Sequence, residues 1–107
     1  MTKFIPLFPL NIVVYPGEQL NLHIFEPRYK QLINECYEEK KEFGIATAFK
    51  DGVSEIGTTV SVLSVEKIHR DGEMDIRTTG QSVFKILEHI PSIPNKLYGG
   101  AIVTYPE

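Results

Sequence analysis

The chain has 107 residues, of which 42% are hydrophobic and 23% charged, and this predicts one globular domain with a single core over residues 1–107. Its formal net charge is −3 and its basic residues are scattered, which argues against nucleic acid or an anionic membrane as the main partner. It has no apolar run of about 20 residues, no secretory signal and a single cysteine, so we expect a cytoplasmic protein without a membrane segment.

The first quarter of the chain predicts two extended segments separated by a turn. Pro9 removes a backbone donor, which favours an edge strand over a central one for residues 4–10. Pro16-Gly17 has turn chemistry, because proline presets φ at the first corner and glycine accepts a positive φ at the second. Apolar and polar residues then alternate over residues 20–24, which is typical of a half-buried strand.

An amphipathic helix is predicted over about residues 27–40. Pro27 suits the first helical position, because an amide there has no partner within the helix. Apolar side chains then recur with helical spacing and form one continuous stripe, while the other face is polar. The residues of the stripe are Tyr29, Leu32, Ile33, Cys36 and Tyr37. Cys36 is therefore expected in the core as a small hydrophobic residue rather than as a nucleophile.

The segment after the helix predicts a strand with two unlike faces. Over residues 43–49, large side chains alternate with the small residues Gly44, Ala46 and Ala48. A face of small residues lets another layer approach closely, because successive side chains of a strand point to opposite faces. We expect the helix to be that layer.

The middle of the chain predicts a long hairpin with irregular strands. The apolar residues change parity between Val62 and Leu63, which favours a bulge. The Asp-Gly pair at residues 71–72 is a strong signal for a two-residue turn. That turn would place Ile68 opposite Asp75 in the hairpin.

The remaining elements complete a β-rich domain. Gly80 is expected to break the returning strand at a bulge or corner, and a last strand is predicted at residues 99–105. The fold class is therefore mainly β with one α-helix. Short strands with parity switches and glycine corners favour a barrel-like domain of about six or seven strongly coiled strands over a flat sheet.

No constellation of catalytic residues stands out. The sequence has no phosphate-binding glycine motif, and its histidines are far apart, so we predict no cofactor and no metal site. Glu73 and Asp75 are expected to pair with Arg70 and Arg77 across the hairpin rather than to bind a cation. No serine or cysteine lies on an exposed turn beside a base. We therefore predict no catalytic residues and a chain that is not an enzyme.

The start of the helix offers a candidate binding surface. His23 and Phe25 lie at the end of the preceding strand, and Glu26, Arg28 and Gln31 lie at the start of the helix. Such a mixed polar and apolar patch suits contact with another polypeptide. The alternative is that these are solvated ends with Phe25 in the core.

Several short blocks of sequence occur in a distinctive order. They are PLFPL at residues 6–10, PG at 16–17, LNLHIFEPRY at 20–29, FGI at 43–45, IGT at 56–58, and Asp71-Gly72 followed by Gly80. In these blocks the chain resembles the amino-terminal substrate-binding domain of the Lon ATP-dependent proteases. The HIFEPRY block is specific, and the resemblance covers nearly the whole chain.

The resemblance implies a PUA-like pseudo-barrel and a non-catalytic, polypeptide-binding module. Such a domain precedes ATPase and protease modules in Lon enzymes, and related domains occur in stand-alone bacterial proteins. Its partners would be unfolded or damaged polypeptides, recruited for ATP-dependent proteolysis in protein quality control. The family's following helical part is not found in residues 1–107.

Two other functions stay open at this point. PUA-like folds include RNA-binding modules, although the net charge of −3 argues against that role here. An oligomerisation or scaffold role would follow if residues 4–10 and 99–105 had unpaired strand edges, because such edges favour self-association.

Overall fold

The computed structural model describes residues 2–106 and contains six strands and one helix in that range. The elements are β1 Thr2–Leu10, β2 Gln19–Ile24, α1 Pro27–Glu39, β3 Phe43–Phe49, β4 Gly52–Ile68, β5 Met74–Ile90 and β6 Gly100–Thr104. This confirms the predicted class, mainly β with one α-helix. Within the same residues, no helix is long and apolar enough to cross a bilayer.

The strands close into a barrel because β5 pairs with more than one neighbour. The sheet order is β2-β5-β4-β3-β1-β6, and β5 also pairs with β6. Residues 74–85 of β5 pair with β4, and residues 85–90 pair with β6, so the ring returns to its starting strand. Within residues 2–106, β2 is paired only with β5. The predicted barrel-like architecture is confirmed.

The edge position predicted for β1 is wrong. Residues 2–6 pair antiparallel with β6, and residues 7–10 pair parallel with β3, so β1 is a member of the ring. Proline lacks a backbone N–H and so cannot donate a hydrogen bond to a neighbouring strand. Pro6 and Pro9 are accommodated because each half of β1 pairs mainly with one strand, so neither proline has to donate on both sides. Strand β6 pairs with β1 on one side and with β5 on the other, so the unpaired edge on which the self-association hypothesis rested at residues 99–105 is not found.

The face of small residues on β3 contacts the barrel interior rather than the helix. The ring of Phe84 from β5 is fully buried, and a Cβ at Gly44 would lie 2.8 Å from its Cζ atom. The helix instead covers the large residues of β3, because Leu32 and Ile33 belong to the same core cluster as Phe43 and Ile45. The expectation that α1 packs on the small-residue face is therefore wrong, since the space is taken by an aromatic ring from β5.

The turn at Pro16-Gly17 is docked against β5. Gly17 has a φ of 84°, and the Glu18 amide donates to the Tyr15 carbonyl over 3.0 Å, as in a type II turn. The Gly17 amide donates to the Gly80 carbonyl over 2.9 Å, and the Gly80 amide donates to the Glu18 carbonyl over 2.8 Å. The turn prediction is confirmed. Strand β5 continues through Gly80, but its register with β4 shifts between Gly80 and Val83, so the bulge predicted at this glycine is confirmed. Gly80 is also the place where the turn docks.

The β4–β5 hairpin has a three-residue loop, and the predicted two-residue turn is wrong. The His69 amide donates to the Glu73 carbonyl over 2.7 Å, and the Gly72 amide donates to the His69 carbonyl over 2.9 Å. Gly72 has a φ of 88°, as expected for the last loop residue of such a turn. Ile68 consequently lies opposite Met74 rather than Asp75.

The bulge predicted in β4 is confirmed. The register between β4 and β5 shifts between Val62 and Ser64, so Leu63 is the extra residue and its side chain is 47% exposed. The paired partner of Arg77 in the ladder is Ser64, yet the Arg77 side chain still reaches Glu66, with Nη2 2.9 Å from Oε1.

Candidate functional site

A small cleft lies where the ends of β1 and β2 meet the start of α1. Its volume is about 180 Å³. The residues that line it are Phe8, Pro9, Leu10, Leu22, His23, Ile24, Phe25, Glu26, Arg28 and Tyr29. We call this feature the helix-start cleft. It arises because β2 ends at a buried isoleucine and α1 begins at Pro27, so the two residues between them turn outward.

The wall of the helix-start cleft is aromatic. The rings of Phe8 and Tyr29 stack with centroids 3.9 Å apart and an angle of 16° between their planes. Phe8 is buried, Tyr29 is half-buried, and Phe25 at the rim is 57% exposed. The alternative in which Phe25 packs in the core is therefore excluded. An exposed aromatic ring beside a packed aromatic wall is a surface that an apolar side chain of a partner can contact.

One cation lies over this wall. Arg28 Cζ is 5.3 Å from the centroid of the Tyr29 ring, and its Nε donates to Glu26 Oε2 over 3.1 Å. Burial is the main cause that raises the pKa of the Tyr29 hydroxyl, and the Glu26 carboxylate adds to the increase. The Tyr29 hydroxyl therefore stays neutral, and the cleft offers one charged pair, one phenol, the imidazole of His23 and several apolar groups.

Gln31 is not brought to the cleft. It lies one helical turn further along, where its Oε1 accepts a hydrogen bond of 2.7 Å from the Leu97 amide. Of the five predicted contact residues, the structure places His23, Phe25, Glu26 and Arg28 in the walls of the cleft. Gln31 holds the loop before β6 against the helix. This role could not be predicted from the sequence, because it depends on packing between residues that are far apart in the chain.

A group of ionisable side chains extends from one end of the cleft. His23 Nδ1 lies 2.6 Å from Asp75 Oδ1, and His23 Nε2 lies 2.7 Å from Glu73 Oε1. His69 Nε2 lies 2.9 Å from Asp75 Oδ2. We call these four residues the histidine cluster. The prediction that Glu73 and Asp75 pair with Arg70 and Arg77 is wrong, because both carboxylates contact histidine instead.

The register of two strand pairs explains the histidine cluster. Strand β2 pairs with β5 so that His23 lies opposite Asp75, and the short hairpin loop brings His69 to the same carboxylate. The carboxylates of Asp75 and then Glu73, which accept hydrogen bonds from the His23 ring, raise the pKa of His23. Hydrogen bonds from His23 and then His69 lower the pKa of Asp75. The pairing of β2 with β5 joins residues 52 positions apart, so sequence spacing gave no sign of this cluster.

A larger groove of about 630 Å³ lies at the other end of α1, between the helix, the start of β1 and the loop before β6. Its rim is charged, with Glu39, Lys40 and Lys41 among the lining residues. Cys36 also lines it, but burial raises the pKa of its thiol to about 12. The thiol is therefore protonated near neutral pH, in line with the prediction that Cys36 is a core residue and not a nucleophile.

The chain matches known proteins over nearly its full length. A family model described as the ATP-dependent protease La (LON) substrate-binding domain matches residues 5–106. A LON peptidase N-terminal domain and RING finger protein of Schizosaccharomyces pombe is 30% identical over 105 residues, which cover 80% of this chain and 21% of the relative.

Two solved structures share the fold. A Lon N-terminal domain protein from Xanthomonas campestris has a TM-score of 0.84 and 27% identity, covering 98% of this chain and 60% of its own. The N-terminal domain of a Mycobacterium avium complex Lon protease has a TM-score of 0.77 and 18% identity, and the match covers 98% of this chain and 56% of that domain's chain. The chain thus spans less than two thirds of the length of each of these relatives.

Proposed function

The chain belongs to the LON substrate-binding domain family, and from this premise we propose that it is a non-catalytic module that binds unfolded polypeptides in the helix-start cleft. The observation that carries the proposal is the aromatic wall of Phe8 and Tyr29 with the exposed ring of Phe25 at its rim. Binding there would deliver protein substrates to ATP-dependent proteolysis by ATPase and protease modules. A cytoplasmic location is part of the same proposal.

The composition of the cleft supports a polypeptide as the ligand. An unfolded chain exposes apolar side chains and a polar backbone, and the cleft offers partners for both. Phe25 and Tyr29 can contact an apolar side chain, while Arg28 can donate to a backbone carbonyl. The volume of about 180 Å³ suits one side chain at a time, so we expect modest affinity and broad specificity.

The RNA alternative has less support from this surface. Arg28 is the one arginine or lysine among the residues that line the cleft, and it is already paired with Glu26. His23 also lines the cleft and carries a positive charge only when it is protonated. RNA-binding surfaces combine several cations with stacking aromatic residues. We therefore keep a polypeptide as the proposed ligand and use RNA as a competitor in the test.

The proposal is tested by measuring binding of the purified chain to a fluorescent, permanently unfolded protein and to its native form. We expect saturable binding to the unfolded form alone. Substitution Phe25→Ala should weaken binding by about 10-fold, or about 1.4 kcal/mol, because it removes the exposed aromatic contact. Arg28→Ala should weaken it by a smaller factor, since its charge is shared with Glu26.

Phe49→Ala is the matched control. Phe49 is the same residue type, is 63% exposed, and lies at the far end of β3, outside the cleft. Val13→Ser tests a separate apolar surface, because Val13 is 61% exposed and lines a different cavity with Tyr15 and Ile56. If Val13→Ser or Phe49→Ala abolished binding while Phe25→Ala did not, the helix-start cleft would not be the binding surface. Competition by RNA that is lost at high salt would favour the RNA alternative.

A further inference from the structure

We propose that His23, His69 and Asp75 form a binding site for a divalent transition-metal ion of the zinc class. One ligand atom from each residue lies within 4.8 Å of the other two. Imidazole nitrogens and a carboxylate oxygen are the donors that zinc accepts most readily besides thiolate. The inference goes beyond polypeptide binding, because a metal could bind here with no polypeptide present.

The geometry needs only small side-chain movements to take an ion. Zinc bonds of about 2.05 Å in a tetrahedral arrangement place ligand atoms about 3.3 Å apart. The two histidine nitrogens now lie 2.6 Å and 2.9 Å from the oxygens of Asp75, so an ion between them would replace two hydrogen bonds. The rings of His23 and His69 are 5.4 Å apart and nearly perpendicular, at 74°. Both are partly open to solvent, so their side chains have room to adjust.

Glu73 is placed to orient one of the histidine ligands. If His23 binds the ion through Nδ1, its Nε2–H points at Glu73 Oε1, 2.7 Å away. A carboxylate that accepts a hydrogen bond from the second nitrogen of a histidine ligand is a common feature of zinc sites, because it fixes the ring orientation and the tautomer. In this arrangement Glu73 is a positioning residue and does not contact the metal.

The three ligands come from separate parts of the chain, so an ion would join them. His23 belongs to β2, Asp75 to β5, and His69 follows the end of β4. Strand β2 is paired only with β5 among the described residues, and the ion would add a link between β2 and the hairpin loop. We expect metal binding to stabilise the folded chain, because only the folded state brings the ligands together.

The test uses the metal-free chain without an affinity tag, since a histidine tag would bind the same ions. Titration with Zn²⁺ against a chelator should show one equivalent bound, and Tm should rise with Zn²⁺ concentration. Paramagnetic Co²⁺ should shift or broaden the NMR signals of the His23 and His69 rings but not those of His89. The Co²⁺ experiment is made on the unsubstituted chain, so it does not depend on any variant folding.

Variants then identify the ligands. His69→Ala and Asp75→Asn should each lower Zn²⁺ affinity at least about 10-fold, and Glu73→Gln should lower it by a smaller factor. His89→Ala is the matched control, because His89 is an exposed histidine near the opposite end of β5, and it should bind Zn²⁺ like the unsubstituted chain. The inference is overturned if the unsubstituted chain binds no Zn²⁺, or if Co²⁺ affects His89 as strongly as His23. Polypeptide binding is measured separately, so failure here leaves the proposed function standing.

Discussion

Glu35 is the residue that fixes the loop before β6 to the helix. Its carboxylate accepts a hydrogen bond of 2.5 Å from the Tyr98 hydroxyl and bonds of 2.9 Å from Lys96 Nζ. The Tyr98 hydroxyl, followed by Lys96, holds the pKa of Glu35 below its ordinary value. A carboxyl group with a lowered pKa in the folded state contributes stability above its unfolded pKa, and loses that contribution as pH falls through its folded pKa.

We therefore predict that Glu35→Gln lowers the free energy of unfolding by about 1 kcal/mol at pH 7, because a charged acceptor is lost from two donors. The difference between the variant and the unsubstituted chain should shrink as the pH is lowered from 7 towards 3, because the contribution of the carboxylate is lost as the pH falls through the lowered pKa of Glu35. Urea unfolding at both pH values measures this. Glu38→Gln is the control on an exposed position of the same helix. Equal stability of the two variants at pH 7 would contradict the role of Glu35.

For single residues, the local sequence predicted which side chains are buried better than it predicted which residues they contact. The helical stripe correctly placed Leu32, Ile33 and Cys36 in the core, whereas Tyr37, predicted in the same stripe, is 47% exposed. The exposure of Phe25 could not be decided, because it depends on how sharply the chain turns between β2 and α1. The contact between His23 and Asp75 could not be predicted either, because it depends on the register of two strands that are far apart in the sequence.

At the scale of the elements, the turn at Tyr15–Glu18 packs against β5 and is hydrogen-bonded to it. A Cβ at Gly80 would lie 2.3 Å from the Tyr15 carbonyl oxygen. This approach is closer than any side chain permits, so the turn can dock only because residue 80 is glycine. Thr58 adds to the same junction, because its hydroxyl donates to the Val14 carbonyl over 2.6 Å.

Gly80→Ala should destabilise the fold by about 1–3 kcal/mol, because the added methyl forces the turn away from β5 and breaks its two hydrogen bonds. Chemical denaturation gives the free energy of unfolding. Ser82→Ala, at an exposed position two residues along the same strand, should change it by less than about 0.5 kcal/mol. A Gly80→Ala chain as stable as Ser82→Ala would show that the turn does not depend on this contact.

Element types were predictable from the sequence, whereas strand neighbours were not. Pro27, the helical stripe and the alternation in β2 are local signals, and the structure confirms the elements they predicted. The edge position of β1 was wrong because its two halves pair with different strands. The hairpin register was wrong because an Asp-Gly pair also fits the end of a three-residue loop, with Gly72 at a positive φ.

The whole molecule is a closed ring of strands with one helix over an end of its core. Closure by β5 leaves the helix, β2 and the connecting residues on the outside, where the helix-start cleft and the histidine cluster adjoin each other through His23. The proposed recognition surface therefore lies at the junction between the barrel and the helix. The barrel class could be predicted from parity switches and glycines, but this junction required the closed topology.

Binding in the helix-start cleft is tested most directly by mapping amide NMR shifts of the isotope-labelled chain during titration with a permanently unfolded polypeptide. Helix-start binding predicts saturable shifts concentrated in residues 8–10 and 22–29, with small changes around Val13 and Ile56. The Phe25→Ala chain should show the same pattern at about 10-fold higher polypeptide concentration. Shifts centred on residues 12–16 and 56–58, with none at the start of the helix, would contradict the helix-start cleft as the binding surface.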